Sequence, residues 1–115
     1  MAIHFYTSDP SGLLTAFKKA IDDRRIETWA YDSQGDFTHT PEQWKYRAWL
    51  RPTVLTGELR LNILGRNDEP LKKYMYAAYH GRFIESMLTH FDNAFTLAVA
   101  SALIETGDDV GKVSN

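Results

Sequence analysis

The sequence predicts a single α+β domain with a mainly antiparallel sheet and two helices packed on one face of it. Several short segments alternate apolar and polar residues, the pattern of half-buried strands, while only two carry apolar residues at helical spacing. Most predicted strands follow one another directly, which favours an antiparallel sheet. The expected order is β-α-β-β-β-β-α-β. A chain of 115 residues is long enough to bury one hydrophobic core.

The first strand and helix carry the clearest signals. Residues 2–6 alternate and predict a strand. Asp9 followed by Pro10 is typical of a helix start, with the aspartate as N-cap and the proline at the first helical position. The helix is predicted over about 10–23. Its apolar stripe consists of Leu13, Leu14, Phe17, Ala20 and Ile21.

The middle of the chain predicts three more strands. Residues 26–31 form the first, which ends in a turn over 32–36. Residues 44–51 and 59–64 alternate and are expected to pair as a long-looped antiparallel hairpin, with Pro52 ending or edging the first of them. Thr40-Pro41-Glu42-Gln43 has the form of a capping box and predicts a short helical turn.

Two later segments allow alternatives. Residues 71–91 could form one helix, but the face through Leu71 and Met75 reaches Arg82 and Glu85, so the sequence is divided into a strand over 74–80 and a helix over 82–91. Residues 94–104 alternate large and small side chains, which favours a strand over a buried helix. The domain is expected to span 1–105, followed by a mobile tail over 106–115.

Composition excludes several classes of protein. The absence of cysteine excludes disulfide scaffolds and thiolate metal sites. No apolar run is long enough to cross a membrane, and residues 1–6 do not resemble a secretory signal, so a soluble cytoplasmic protein is expected. Phosphate-loop, dinucleotide and calcium-loop motifs are missing, so no cofactor and no metal is predicted.

Charge is unevenly distributed along the chain. Residues 1–44 carry a net charge of −3, residues 45–82 one of +5, and residues 83–115 one of −4. If Trp44, Tyr46 and Leu50 face the helices, the opposite sheet face is basic and aromatic. The candidate interface residues are Lys45, Arg47, Trp49, Arg51 and Arg60 on the sheet, with Arg82. Tryptophan and arginine are enriched at the centres of protein interfaces, and they also stack on and neutralise single-stranded nucleic acid.

The histidines give weaker candidates. His80, Arg82 and Glu85 lie close in sequence and could form a small catalytic or anion-binding group around Gly81. His90 is five residues from Glu85, not four, so the two do not match helical zinc ligands. The leading hypothesis is therefore a non-enzymatic interaction module that acts as a homo-oligomer through the Arg/Trp face or an edge strand. The alternative is a binder of an anionic ligand or single-stranded nucleic acid, and the third is an enzyme built on His80 and Glu85.

Overall fold

The computed structural model describes residues 1–110 and 113–114 and confirms the α+β class. A six-stranded antiparallel sheet of order β2-β3-β4-β5-β1-β7 is covered on one face by both helices. The elements are β1 (Ala2–Tyr6), α1 (Pro10–Asp22), β2 (Trp29–Tyr31), β3 (Phe37–His39), β4 (Ala48–Leu55), β5 (Glu58–Gly65), β6 (Leu71–Lys72), α2 (Lys73–Phe91), β7 (Leu97–Ala100) and β8 (Val113–Ser114). β6 and β8 pair separately in parallel.

The helix α1 begins as its sequence predicts. The Asp9 carboxylate accepts a hydrogen bond from the Gly12 backbone N–H at 3.0 Å. Pro10 follows at the first helical position, where the missing N–H costs no intrahelical bond. Leu13, Phe17 and Ala20 are buried, so the apolar stripe of the sequence is the face that packs on the sheet.

Aromatic rings from both helices and the sheet meet in the core. Phe83 of α2 lies 4.7 Å from Phe17 of α1 between ring centroids. Phe83 also contacts Phe5 of β1 at 6.0 Å and Phe37 of β3 at 5.6 Å. All four side chains are fully buried. This cluster joins both helices to the same sheet face, which is why the other face lacks a helical cover.

The predicted division of residues 71–91 is wrong, because α2 runs unbroken over Lys73–Phe91. Met75, Tyr79, Phe83 and Met87 recur every four residues and are all buried. The predicted break rests on a different stripe, through Leu71 and Met75, which meets the charged residues Arg82 and Glu85. Gly81 has no neighbouring atom within 4 Å of where a Cβ would stand, so it lies on an open side of the helix and does not interrupt packing.

The β4–β5 hairpin is tighter than expected. Pairing continues to Leu55 opposite Glu58, and Gly57 adopts a φ of +78° in the turn between them, so the predicted long loop is wrong. β4 starts at Ala48, whereas residues 41–47 form turns, among them a hydrogen bond from Lys45 N–H to the Pro41 carbonyl. Tyr46 there has a φ of +61°, a left-handed conformation that is uncommon for tyrosine.

Two further predictions concern the end strands. The predicted strand over 94–104 is confirmed as β7, though it is shorter, while β3 has no counterpart in the sequence analysis. Residues 106–110, assigned to the tail from sequence, lie against β5: Asp109 pairs with Leu64, and Val110 is 5% exposed. Of the rest of that tail, only the β8 backbone falls within the described residues.

Candidate functional site: the open sheet face and its edge

Strand alternation creates a sheet face that the helices do not cover. In β1, Ile3 and Phe5 are buried under the helices, so His4 and Tyr6 lie on the other face. Residues that pair with each other lie on the same face of the sheet, so the side chains of the neighbouring strands are divided between the two faces in the same way. We call this surface the open face; it consists of His4, Tyr6, Trp49, Arg51, Thr53, Glu58, Arg60, Asn62, Leu97 and Val99.

The structure pairs the predicted open-face arginines with carboxylates. Arg51 donates from Nε and Nη2 to both oxygens of Asp36, at 3.0 and 2.8 Å. This bidentate contact raises the pKa of Arg51, and the Asp36 side chain is nearly buried. Arg60 Nη2 lies 3.6 Å from Glu58 Oε1. Because these positive charges are already compensated, the face offers little unpaired charge to a polyanion.

The other basic candidates lie elsewhere. Arg47 precedes β4 and donates to Glu69 at 3.3 Å. Lys45 belongs to the preceding turn, where its Nζ lies over the Tyr46 ring at 5.1 Å. Arg82 is on α2, with its Nη1 at 3.8 Å from Glu85 Oε1. The structure therefore does not assemble the six predicted interface residues into one surface.

Trp49 remains half-exposed at one end of the open face. It borders a cleft of about 390 Å³ together with Tyr46 and the loop after β5. Arg66 in that loop donates from Nε and Nη2 to the carboxylate of Asp68, at 2.7 and 2.6 Å. Trp49 lies two residues from Arg51 on the same face of β4, but Arg51 is held by Asp36, so the predicted Arg/Trp platform offers little unpaired positive charge.

His80 and Glu85 are not brought together. They are five residues apart on one helix, about 140° around its axis. His80 is buried and hydrogen-bonds through Nδ1 to the Tyr76 carbonyl at 2.7 Å, whereas the Glu85 side chain is 66% exposed. Burial lowers the pKa of His80, so the ring is neutral at pH 7. This geometry gives no support to the predicted acid–base pair.

His39 and Asp36, which are close in sequence, do not form an acid–base pair either. Asp36 binds Arg51, and His39 is buried against Trp29 with ring centroids 4.6 Å apart. Its Nδ1 hydrogen-bonds to the Thr28 carbonyl at 2.7 Å. Burial lowers the pKa of His39 as it does for His80. Both histidines are therefore buried residues that hydrogen-bond to backbone carbonyls.

A histidine cluster that sequence analysis missed lies on the open face. His4 Nδ1 is 2.7 Å from Glu58 Oε2, and His4 Nε2 is 2.9 Å from Glu105 Oε2. Burial alone would lower the pKa of His4, but the hydrogen bonds to both glutamates and their negative charges raise it above the ordinary value. The partners are 54 and 101 residues away in sequence, so no local pattern could reveal them.

The edge of the sheet beside this cluster is apolar. β7 is the outermost strand, and among the described residues no other strand pairs with its outer side. Large apolar side chains near it are exposed to water. We call them the edge patch: Tyr6 (39% exposed), Leu97 (55%), Val99 (39%), Leu103 (81%) and Ile104 (58%).

The strand carries none of the charged or proline residues that usually protect an edge. Its four residues, Leu97–Ala100, include no charged residue and no proline. Lysine, proline or bulges at such positions normally prevent association between sheets. An unprotected edge next to exposed apolar side chains is typical of a surface that another chain covers.

Comparison with known proteins gives no further assignment. No protein-family model matches the chain, and no curated protein or solved structure is significantly similar to it. No helix of the described residues is long and apolar enough to cross a membrane. Within the same part of the chain, no group of three or more histidine, aspartate or glutamate residues is placed to hold a metal ion.

Proposed function

We propose that this protein is a non-enzymatic interaction module that forms a homodimer by pairing β7 with β7 of a second copy. The observation that carries the proposal is the unpaired, uncharged outer edge of β7 beside the exposed edge patch. A strand edge in this state is a template for adding another strand. A cytoplasmic location remains a prediction of the sequence.

The hydrogen-bonding pattern limits the registers in which β7 can pair with a second copy. Ser101 N–H donates to the Ala2 carbonyl, and His4 is opposite Val99 in the same ladder. Hydrogen-bonded pairs alternate along antiparallel strands. The backbone N–H and C=O of Val99 therefore point toward β1, and those of Ala98 and Ala100 point away from the sheet. Among the two-fold registers that this allows, we propose the one that joins Ala98 to Ala100 of the second copy, with the exposed Val99 facing its own symmetry mate.

Apolar contact would supply most of the stabilisation. At the two-fold axis, the facing valines would form a non-hydrogen-bonded pair, in which side chains lie closest together. An interface of standard size buries about 800 Å² per partner, which is an eighth of the 6563 Å² surface of this chain. The four-residue strand is too short to provide that area alone, so the interface must also include side chains of the edge patch.

The same observations favour a second copy over a polyanion. The edge patch carries no charge, and the open-face arginines are held by Asp36 and Glu58. A nucleic-acid surface would instead present uncompensated basic side chains, and its affinity would fall steeply with salt. Apolar association changes little over the same range of salt.

The test compares two exposed valines by light scattering over a concentration series. Val99→Lys places a charge at the proposed axis, whereas Val54→Lys changes a valine of similar exposure (46%) on β4, three positions away in the sheet. We expect the wild type and Val54→Lys to dimerise and Val99→Lys to be a monomer.

A second variant tests the hydrogen bonds without adding charge. Ala100→Pro removes an N–H that points outward in this register, so it spares the ladder with β1, and proline is tolerated at such edge positions. It should weaken the dimer while circular dichroism stays unchanged. A wild type that is monomeric throughout the series, or a Val99→Lys protein that still dimerises, contradicts the proposal.

A further inference from the structure

We propose that His4 is a positioning residue that, when protonated, holds residues 101–110 closed across the open face and thereby completes the interface. We call these residues the strap. The inference about closure stands on the geometry around His4; the inference about the interface rests on the function proposed above. The strap carries Leu103 and Ile104, two of the five residues of the edge patch.

The strap is fixed at both ends by contacts that do not involve His4. Near its start, Ser101 N–H donates to the Ala2 carbonyl. At its far end, Asp109 exchanges backbone hydrogen bonds with Ile63 and Gly65, and Val110 is buried. The Asp108 carboxylate, fully buried, accepts from Asn62 Nδ2 at 2.8 Å.

Between these anchors, three contacts hold the strap, and the first is a hydrogen bond from the Met1 amino group to the Leu103 carbonyl. Asn62 Nδ2 donates to the Thr106 carbonyl at 3.2 Å, a neutral contact. The contact between His4 Nε2 and Glu105, at 2.9 Å, is an ion pair between side chains when His4 is protonated. Leu103 and Ile104 immediately precede Glu105, so this contact and the Met1 hydrogen bond together determine where the two apolar side chains lie relative to β7.

Only the protonated ring satisfies both glutamates. An imidazolium donates hydrogen bonds from both Nδ1 and Nε2. A neutral imidazole has only one N–H, so its other nitrogen is an acceptor and would face a carboxylate, which is also an acceptor. Glu58 is part of β5 and is also within 3.6 Å of Arg60, whereas Glu105 belongs to the strap. Loss of the proton therefore releases Glu105 in preference to Glu58.

Of the charged groups that face His4, Glu58 and Glu105 favour the cation and Arg60 opposes it. Glu58 and Arg60 approach it from β5, and Glu105 from the strap. On its own strand, the Tyr6 ring is stacked with it, with centroids 6.4 Å apart. Val99, its neighbour on β7, is uncharged. Beyond them, Asp108 and the amino group of Met1 lie 3.5 Å apart and offset each other.

Closure of the strap should therefore weaken as pH rises. The closed form binds the proton more tightly than the open form, so the closed fraction is highest below the pKa of the open form and falls as the pH passes the raised pKa of the closed form. Each unit of difference between the two pKa values changes the closure equilibrium about tenfold. Because a dimer contains two straps, its dissociation constant should vary with the inverse square of the closed fraction.

The experiment measures hydrogen exchange of residues 102–107 at about pH 6 and pH 9, corrected for the intrinsic pH dependence of exchange. It uses full-length Ala100→Pro protein, which adds no charge beside His4, at a concentration where light scattering gives a monomer, so the result does not depend on dimerisation. We expect lower protection at the higher pH, and no such change in His4→Gln. His90→Gln, which changes an exposed histidine at the end of α2, is the control and should behave as the parent.

Nuclear magnetic resonance titration of the His4 ring supplies a second readout. Glu105→Gln keeps a hydrogen-bonding side chain but removes the negative charge, so the pKa of His4 should fall in that variant. Equal protection at both pH values, or an unchanged His4 titration in Glu105→Gln, would overturn the inference about closure. If closure responds to pH but the wild-type protein never dimerises, only the role in the interface and the proposed function fail.

Discussion

Substitution of Asp108 provides a quantitative test of how the strap is anchored. Its Oδ1 accepts from Asn62 Nδ2 at 2.8 Å and from the Ile63 N–H at 3.2 Å, and its Oδ2 accepts from the Glu105 N–H at 2.8 Å. Asp108→Ala leaves these three donors without their acceptor. Hydrogen bonds to charged groups contribute about 1.5–3 kcal/mol each, but partial rehydration makes such losses less than additive. We expect the free energy of unfolding to fall by about 3–4 kcal/mol.

Two further substitutions separate the carboxylate from other effects. Asp108→Asn keeps one acceptor oxygen but places an amide N–H opposite the Glu105 N–H, donor against donor. It should lower the free energy of unfolding by about 1–2 kcal/mol. Asp109→Ala changes the neighbouring exposed acid, of which only the backbone contacts β5, and should cost under about 0.5 kcal/mol. The assay is urea unfolding followed by tryptophan fluorescence. If Asp108→Ala costs no more than Asp109→Ala, the strap is not anchored through this carboxylate.

Two more predictions concern the core and its histidine. Phe83→Ala removes the ring shared by both helices and the sheet and should lower the free energy of unfolding by about 3–5 kcal/mol. Leu88→Ala, on the exposed side of α2, should lower it by under about 1 kcal/mol. Similar losses in urea unfolding would contradict the packing of α2 through the face that carries Phe83. The pKa of His80 is lowered in the folded state, so the unfolded chain binds more protons. The free energy of unfolding should therefore fall as pH drops below about 6.5, and less steeply in His80→Gln. Equal slopes between pH 7 and 5 would contradict this.

The parts of the fold that sequence predicts are those set by neighbouring residues. Asp9 and Pro10 determine the start of α1 through local hydrogen bonding and backbone geometry. Alternation in β1 places His4 and Tyr6 on the face opposite Ile3 and Phe5 regardless of the rest of the chain.

The wrong or missing predictions concern segments whose secondary structure depends on tertiary contacts. In α2, two apolar stripes were possible, and packing of Phe83 against the aromatic cluster selects the one that continues past Gly81. Residues 37–39 are too short to show a period, and β3 exists because Trp29 and His39 pair across a turn closed by Asp32.

The candidate site depends on contacts that are distant in sequence. Sequence analysis found the arginines but not the carboxylates that compensate them, because Arg51 and Asp36 meet only after β3 and β4 pair. His4, Glu58 and Glu105 come together from three separate segments. An edge strand was predicted as one possible interface, yet the exposure of Leu97 and Val99 at the end of the sheet follows from the strand order, which no local pattern specifies.

The most direct test of the central claim is the solution mass of the wild-type protein at about pH 6, measured by light scattering at low and high salt. Pairing through β7 predicts a particle of twice the 13.2 kDa chain mass at both salt concentrations, and a single chain mass for Val99→Lys. A wild-type protein that stays at 13.2 kDa at every concentration measured would contradict the claim that β7 is an interface.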